Sequence, residues 1–327
     1  MAEFLEARNK LEAVARISNL TNSGPETLGP GSKEHKSVLI NLAKGLQLNF
    51  DESLSKQALG KFILESIGGN WNSDFESVGQ TITLKGLNAL LRYAATYIEI
   101  KGLNFSNSML GSFEQELNAI SKIVVANTPL KMEGRECVEE MRDVEDSNWR
   151  QTEWQGFYFE MKIESALTRS IGGGRVKFEN TEFDYARNFF WDLKVHSSKT
   201  NKGQTSSGLI LNDSKAIEQA VNEKGLGFII LSAKPEYDLE FTRWHKHFRG
   251  AGDAEPRRVL KSRFTSERID IFYIPDYDRL EKAKSLYEMS IIKQGKNSNS
   301  KPRPTKYQLN IPKARDTDLQ VFSYKFN

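Results

Sequence analysis

The sequence has only one cysteine, Cys137, among 327 residues. An intramolecular disulfide is therefore excluded, and a reducing, cytoplasmic location is the simplest expectation. One cysteine and four histidines also leave too few soft ligands for a zinc site of the usual kinds. No apolar run approaches the roughly 20 residues needed to cross a bilayer, so no membrane association is expected. The opening Met1-Ala2-Glu3-Phe4-Leu5-Glu6 lacks the basic-then-apolar pattern of a secretory signal. Internal repeats are absent too, which sets aside solenoids and propellers.

What is present is a chain of 38% hydrophobic and 27% charged residues, long enough to bury a core in two domains. The net charge is only +3, but from Lys234 to Asn327 there are 20 Lys and Arg against 13 Asp and Glu. The first 233 residues carry the acidic balance. A clustered basic surplus releases counterions from a phosphate backbone, so nucleic acid is the partner this asymmetry suggests.

The stretch from Glu182 to His196 carries the chemistry. Apolar and aromatic residues flank Arg187-Asn188, and Asn tolerates the left-handed backbone of tight turns, so two strands joined by a turn are expected. With a side-chain period of two, Asp192, Lys194 and His196 share one face of the second strand, and Trp191, Leu193 and Val195 the other. Pairing across the hairpin would bring Asp184 close to Asp192. Two neighbouring carboxylates repel unless a positive centre lies between them, and Mg²⁺ is the usual choice because it prefers oxygen ligands.

Asp184 followed by Asp192-Leu193-Lys194 resembles the active-site motif of the PD-(D/E)xK nuclease superfamily, with Phe183 where that motif usually has proline. The surrounding order fits the resemblance. A helix from Trp154 to Leu167 precedes the Gly172-Gly173-Gly174 break and a strand from Arg175 to Phe178. After the hairpin come a polar loop (197–207), a helix from Asp213 to Asn222 and the apolar strand Gly227 to Ala233, which Lys234-Pro235 should end. The resemblance implies an α+β or α/β fold with a mixed sheet core flanked by helices. It further implies Asp184, Asp192 and Lys194 as catalytic residues, Mg²⁺ held by Asp184 and Asp192, and Glu160 on the preceding helix as a further acidic ligand.

Residues 1–128 read as a mainly helical domain and 129–327 as the catalytic domain. Helices are expected over 3–20, from Ser32 to about Gly45, over 55–67, from Leu87 to about Ile100 and over 112–125, with a short strand over 79–86. This pattern is compatible with a winged-helix module that reads DNA, and equally with a helical bundle that supports the core or a dimer contact. Residues Glu133 to Asp146 read as a solvated acidic helix or connector rather than a metal site.

In the basic half, Phe241 to Arg249 mixes aromatic rings with cations, a combination suited to phosphates and bases. Arg243, His245, Lys246, Arg249, Arg257 and Arg258 are the expected DNA contacts, with Trp244 and Phe248 buried in the alternative reading. His196 either touches a phosphate or is a neutral core histidine. A strand over 269–274, a polar tail over 293–306 and a last edge strand over 319–326 complete the chain.

Together these expectations describe a Mg²⁺-dependent, sequence-specific endonuclease of double-stranded DNA resembling a type II restriction enzyme, and by two-fold symmetry a homodimer. Three alternatives stay open: a nuclease that cuts only modified DNA, a DNA-binding protein on a vestigial nuclease fold, and an RNA-processing nuclease.

Overall fold

The computed structural model describes the chain apart from residues 1–4, 22–27, 30–32, 35, 75, 79–80, 104–111, 179, 253–254, 257 and 296–301. Its contacts divide into two compact units, one of residues 1–110 and 136–174 and the other of residues 111–135 and 175–327. The linear reading has a single boundary after residue 128, whereas the contacts group the chain in an interleaved way.

The first unit is mainly helical. It contains α1 (Lys10–Leu20), α2 (Lys36–Gly45), α3 (Lys56–Ser66), α4 (Trp71–Asp74), α5 (Leu84–Lys101), most of α7 (Gly134–Asp143), and α8 (Trp154–Ile171). Two-residue strands pair β1 (Leu28–Gly29) with β2 (Lys33–Glu34) and β3 (Ser77–Val78) with β4 (Thr81–Ile82). Capping explains where the helices begin. The Asn9 side chain accepts the Glu12 N–H and Ser55 accepts the Ala58 N–H, each satisfying a donor the helix cannot use internally. Thr83 does the same for α5, so that helix starts three residues earlier than its apolar pattern implied, and the strand expected over 79–86 shrinks to Thr81–Ile82 among the described residues. Ser32, the expected cap of α2, lies outside them. Val14, Ile17, Leu39, Leu42, Leu59, Ile63, Leu87 and Leu90 form the core of this unit.

The second unit begins with α6 (Phe113–Asn127), opened by a capping box between Ser112 and Gln115. Its strands are β5 (Lys131–Glu133), β6 (Gly174–Phe178), β7 (Thr181–Ala186), β8 (Phe190–Ser197), β9 (Gly208–Asp213), β10 (Leu226–Asp238), β11 (Leu260–Ile274), β12 (Met289–Ile292), β13 (Lys306–Asn310) and β14 (Gln320–Lys325). The helices α9 (Ser214–Lys224), α10 (Leu239–Phe248), α11 (Tyr277–Ser285) and α12 (Ile311–Arg315) lie between them in sequence. Among the described residues the main sheet runs β14-β11-β10-β8-β7-β6, with β5 also pairing β11, and β12-β13-β9 form a smaller sheet.

The main sheet is mixed. Strands β8 and β10 are parallel, with β9 and α9 in the crossover, whereas β10–β11, β11–β14 and β7–β8 are antiparallel. The fold is thus α+β. A central parallel pair needs cover on both faces, and its sequence shows that need: Leu226 to Ala233 is buried throughout. On one face Phe228, Ile230, Phe272 and Ile274 join Ile217, Leu280, Tyr307 and Leu309 in a single cluster. On the other, Trp191 and Tyr273 pack with Phe113 of α6, whose ring lies 4.2 Å from Tyr273 and 6.1 Å from Trp191. Gly227 makes the second arrangement possible, because a Cβ there would come within 2.3 Å of the Trp191 ring.

Pro235 does not end β10. The strand continues to Asp238, and Pro235 pairs Phe264. Beyond Ala233 the strand has left its β8 neighbour, so the absent proline N–H falls where no ladder bond is demanded, the edge condition under which a strand tolerates proline. No helix among the described residues is long and apolar enough to cross a membrane.

Candidate active site

The β7–β8 hairpin forms as its alternation predicts. Tyr185 pairs Trp191 and Ala186 pairs Phe190, leaving residues 187–189 as the turn. The turn is fastened from outside the hairpin by Glu116, a fully buried carboxylate on α6. It accepts the Asn188 N–H at 3.2 Å, the Phe189 N–H at 3.4 Å and the Trp191 indole N–H at 2.9 Å. Nothing in the local sequence of α6 marks Glu116 for this task, since its partners lie more than 70 residues away.

One residue further along, the ladder gives way to a side chain. Asp184 Oδ2 accepts the Leu193 N–H at 2.9 Å, which tethers the Asp184 carboxylate beside β8. The Lys194 ammonium then sits among three oxygens: Nζ is 2.6 Å from Asp192 Oδ2, 3.1 Å from the Leu193 carbonyl and 3.9 Å from Asp184 Oδ2. The three residues singled out in the hairpin are therefore gathered at one point. A fourth, unanticipated, is Asn212 of β9, whose Nδ2 donates to Asp192 Oδ1 at 2.9 Å.

Asp192 is 1% exposed. Burial pushes its carboxyl well above the ordinary carboxylate range, the Lys194 ammonium pulls it down, and the Asp184 carboxylate pushes it up again. The local balance is one cation for two carboxylates in a site mostly closed to water. In such a site burial disfavours the ionised carboxylate, and a neighbouring cation favours it.

That chemistry is the basis for asking whether Mg²⁺ fits. Two carboxylates and a main-chain carbonyl supply only oxygen, the donor set a hard divalent cation prefers, and they already surround an ammonium. The expected third carboxylate is different. Glu160 belongs to the first unit, on α8, where its Oε2 lies 3.7 Å from the Arg8 guanidinium. Among the described residues no trio of His, Cys, Asp or Glu side chains is gathered in a metal-binding group. Within the second unit the donor set is the carboxylates of Asp184 and Asp192 and the Leu193 carbonyl.

The remaining expected contacts fall into three groups. His196 lies on the same face of β8 as Asp192 and Lys194 and is 6% exposed. Burial, aided by the Arg315 cation, pushes its imidazole down to about 4, so it is neutral at pH 7. Arg243, His245, Lys246 and Arg249 are on or beside α10. Arg243 is exposed, with Nη2 3.2 Å from Glu255, and Lys246 and Arg249 are half-buried. His245 departs from its expected role: it is fully buried, with its ring stacked on Phe241 at 5.9 Å, which makes it a packing residue of the helix. Arg258 lines a cleft with Lys199 and Lys261, whereas Arg257 is outside the described residues.

Compared with known proteins, the chain matches no family model, no curated protein and no solved structure.

Proposed function

We propose that the protein is a Mg²⁺-dependent endodeoxyribonuclease that hydrolyses phosphodiester bonds in double-stranded DNA, in the manner of the type II restriction enzymes its hairpin resembles. The observation that carries this reading is the meeting of Asp184, Asp192 and Lys194 in one buried oxygen cradle. A solvated strand face would leave these groups exposed and apart. Here they are covered, and Asn212 and the Leu193 backbone hold their orientations.

In this reading Asp184 and Asp192, with the Leu193 carbonyl, would hold Mg²⁺. When bound, the ion supplies Lewis-acid polarisation of the phosphodiester and a lowered pKa for its water. Asp192 must be ionised for that, and Lys194 favours the ionised form. The Lys194 ammonium also balances charge that accumulates on the phosphoryl oxygens as the attacking oxygen adds and the leaving oxygen departs. Asn212 fixes the Asp192 rotamer, so the carboxylate needs no reordering during turnover. Glu160, on α8, would assist as a further acidic ligand. Sequence specificity, a homodimer and target reading by the helical unit belong to the same proposal, as two-fold DNA sites call for two-fold proteins.

The test is cleavage of supercoiled plasmid, methylated and unmethylated, by wild-type protein with Mg²⁺ or with EDTA, alongside an RNA duplex of matched sequence. Discrete DNA products are expected only with Mg²⁺. Asp192→Asn and Lys194→Ala are each expected to lower the rate by at least about 100-fold, the range for removing a charge-stabilising or proton-handling group. Cleavage confined to methylated plasmid would select a modification-dependent nuclease, and preferential RNA cleavage would move the substrate to RNA. DNA binding with no cleavage under any condition would overturn the hydrolytic reading in favour of a DNA-binding protein.

A further inference from the structure

A second polar site lies on the same sheet face as the carboxylate pair. Four residues in register cross four neighbouring strands: His196 on β8 pairs Ser232 on β10, Ser232 pairs Arg268 on β11, and Arg268 pairs Lys325 on β14. In-register neighbours point to one face at spacings of about 4.8 Å, so this row is a line of polar side chains. All four line a single cleft of about 350 Å³, and Arg315 of α12 lines it as well.

The two guanidiniums are held in place from behind. Asp270, fully buried two residues beyond Arg268 on β11, accepts from Arg268 Nε at 2.7 Å and from Arg315 Nε and Nη2 at 2.9 and 2.7 Å. One carboxylate thus orients two arginines, Arg268 through Nε and Arg315 through Nε and Nη2, and among the described residues neither terminal nitrogen of Arg268 has a hydrogen-bond partner. Arg268, Arg315 and Lys325 outnumber Asp270 and the exposed Glu267 at the rim, so positive charge is in surplus.

His196 completes the set. Ser232 Oγ accepts from Arg315 Nη2 at 3.2 Å and lies 3.4 Å from His196 Nδ1. His196 is nine-tenths buried and among the described residues its Nε2 has no hydrogen-bond partner, a buried polar atom left unsatisfied on a residue that lines the cleft. Unsatisfied buried polar atoms are uncommon and costly, so this one calls for a partner from outside the fold.

We propose that this cleft seats an internal phosphodiester of the nucleic-acid strand, flanking the one cleaved at Asp184 and Asp192. Planar guanidiniums match phosphate oxygens, and a neutral imidazole N–H beside a serine and a threonine rim adds uncharged donors. His196 is four residues from Asp192 on one strand, about 13 Å at 3.3 Å per residue. A strand rising about 3.4 Å per nucleotide laid along β8 would place the seated phosphate a few nucleotides from the scissile one. The ligand class rests on the nuclease reading, but the cleft acts in binding rather than in cleavage.

The experiment measures binding without cleavage. Fluorescence anisotropy in EDTA would follow a labelled 12-nucleotide strand and its duplex over a salt series, with wild-type, Asp192→Asn, Lys325→Ala, Arg268→Lys and His196→Gln proteins. Thermal melts of each variant identify any that has lost its fold, and Lys325→Ala, an exposed change, guards against that outcome for the set. Lys325→Ala and Arg268→Lys are expected to weaken binding three- to tenfold, and Lys325→Ala to reduce the salt slope by about 0.7 to 0.9, the value of one phosphate contact. Asp192→Asn should fail to cleave. Unchanged affinity and slope in folded Lys325→Ala, Arg268→Lys and His196→Gln would overturn the proposal and leave the nuclease reading intact if wild-type protein cuts. A loss seen only with a 5′-phosphorylated strand would also overturn it, assigning the cleft to a terminal phosphate instead. Altered binding with no cleavage by wild-type protein would support the cleft and overturn the nuclease reading alone.

Discussion

Asp192 and Asp270 are buried carboxylates on one face of one sheet, two strands apart, and they are provided for in opposite ways. Asp270 receives five hydrogen bonds: from Arg268 Nε, Gln320 Nε2 and Ser323 Oγ on Oδ1, and from Arg315 Nε and Nη2 on Oδ2. Its lone pairs are filled and its charge is offset by two cations. Asp192 has the Asn212 amide on Oδ1 and the Lys194 ammonium on Oδ2, and it shares that ammonium with Asp184. The first carboxylate is finished by the protein itself. The second is left with capacity and with an ionisation that burial opposes, which is the condition of a group meant to meet something from outside.

The sharpest way to break this comparison is to remove each charge in turn. Asp270→Ala leaves two guanidiniums without their buried anchor, a loss of about 3 to 5 kcal/mol. The melting temperature should fall by on the order of 10 °C in a calorimetric scan. Asp192→Asn should melt at or above the wild-type temperature at pH 8, since it removes a charge the fold disfavours. The sign follows from linkage. The folded Asp192 pKa is raised above its unfolded value of 3.8, so over the interval between them the folded state holds the extra proton and wild-type stability falls as pH rises. The advantage of Asp192→Asn should therefore open above about pH 4, widen towards neutrality and vanish in melts below pH 4. A variant as destabilised as Asp270→Ala would show that the two carboxylates are equivalent.

Added Mg²⁺ sharpens the same contrast from the other side. At 100 times its dissociation constant a ligand of the folded state adds about 2.7 kcal/mol, several degrees in the melt. Wild-type protein should show that shift and Asp192→Asn should not. An equal shift in both would place the metal elsewhere.

The contrast also marks how far the sequence could be read. The hairpin was legible because alternation about Arg187-Asn188 is a local property, and so was the buried run of β10. Where Pro235 left the ladder intact, the deciding fact was that β8 had already ended, which no local pattern records. Leu209-Ile210-Leu211 of β9 is too short an apolar run to separate from a loop, so no local signal puts Asn212 beside Asp192. Asp270 lay within a recognised strand, yet Arg315, Gln320 and Ser323 reach it from 45 to 53 residues away. His245 is buried because helical packing against Phe241, not its charged neighbours, determines its exposure. Local periodicity reveals strands; it does not reveal which polar groups the fold will complete.

Glu116 offers the finest test, because it is a third fully buried carboxylate and uses only neutral N–H donors. Its three bonds hold the turn and Trp191, on the sheet face opposite Asp192. Glu116→Gln keeps the shape but turns one acceptor oxygen into a donor that must face an N–H. A loss of about 1 to 2 kcal/mol follows, a smaller melt shift than for Asp270→Ala because no cation is stranded. If the hairpin is held from both faces independently, the Mg²⁺-induced rise in melting temperature should survive in Glu116→Gln at close to its wild-type size. Its disappearance would mean that the oxygen cradle depends on the turn being fastened, and that Asp192 is poised by Glu116 as well as by Lys194 and Asn212.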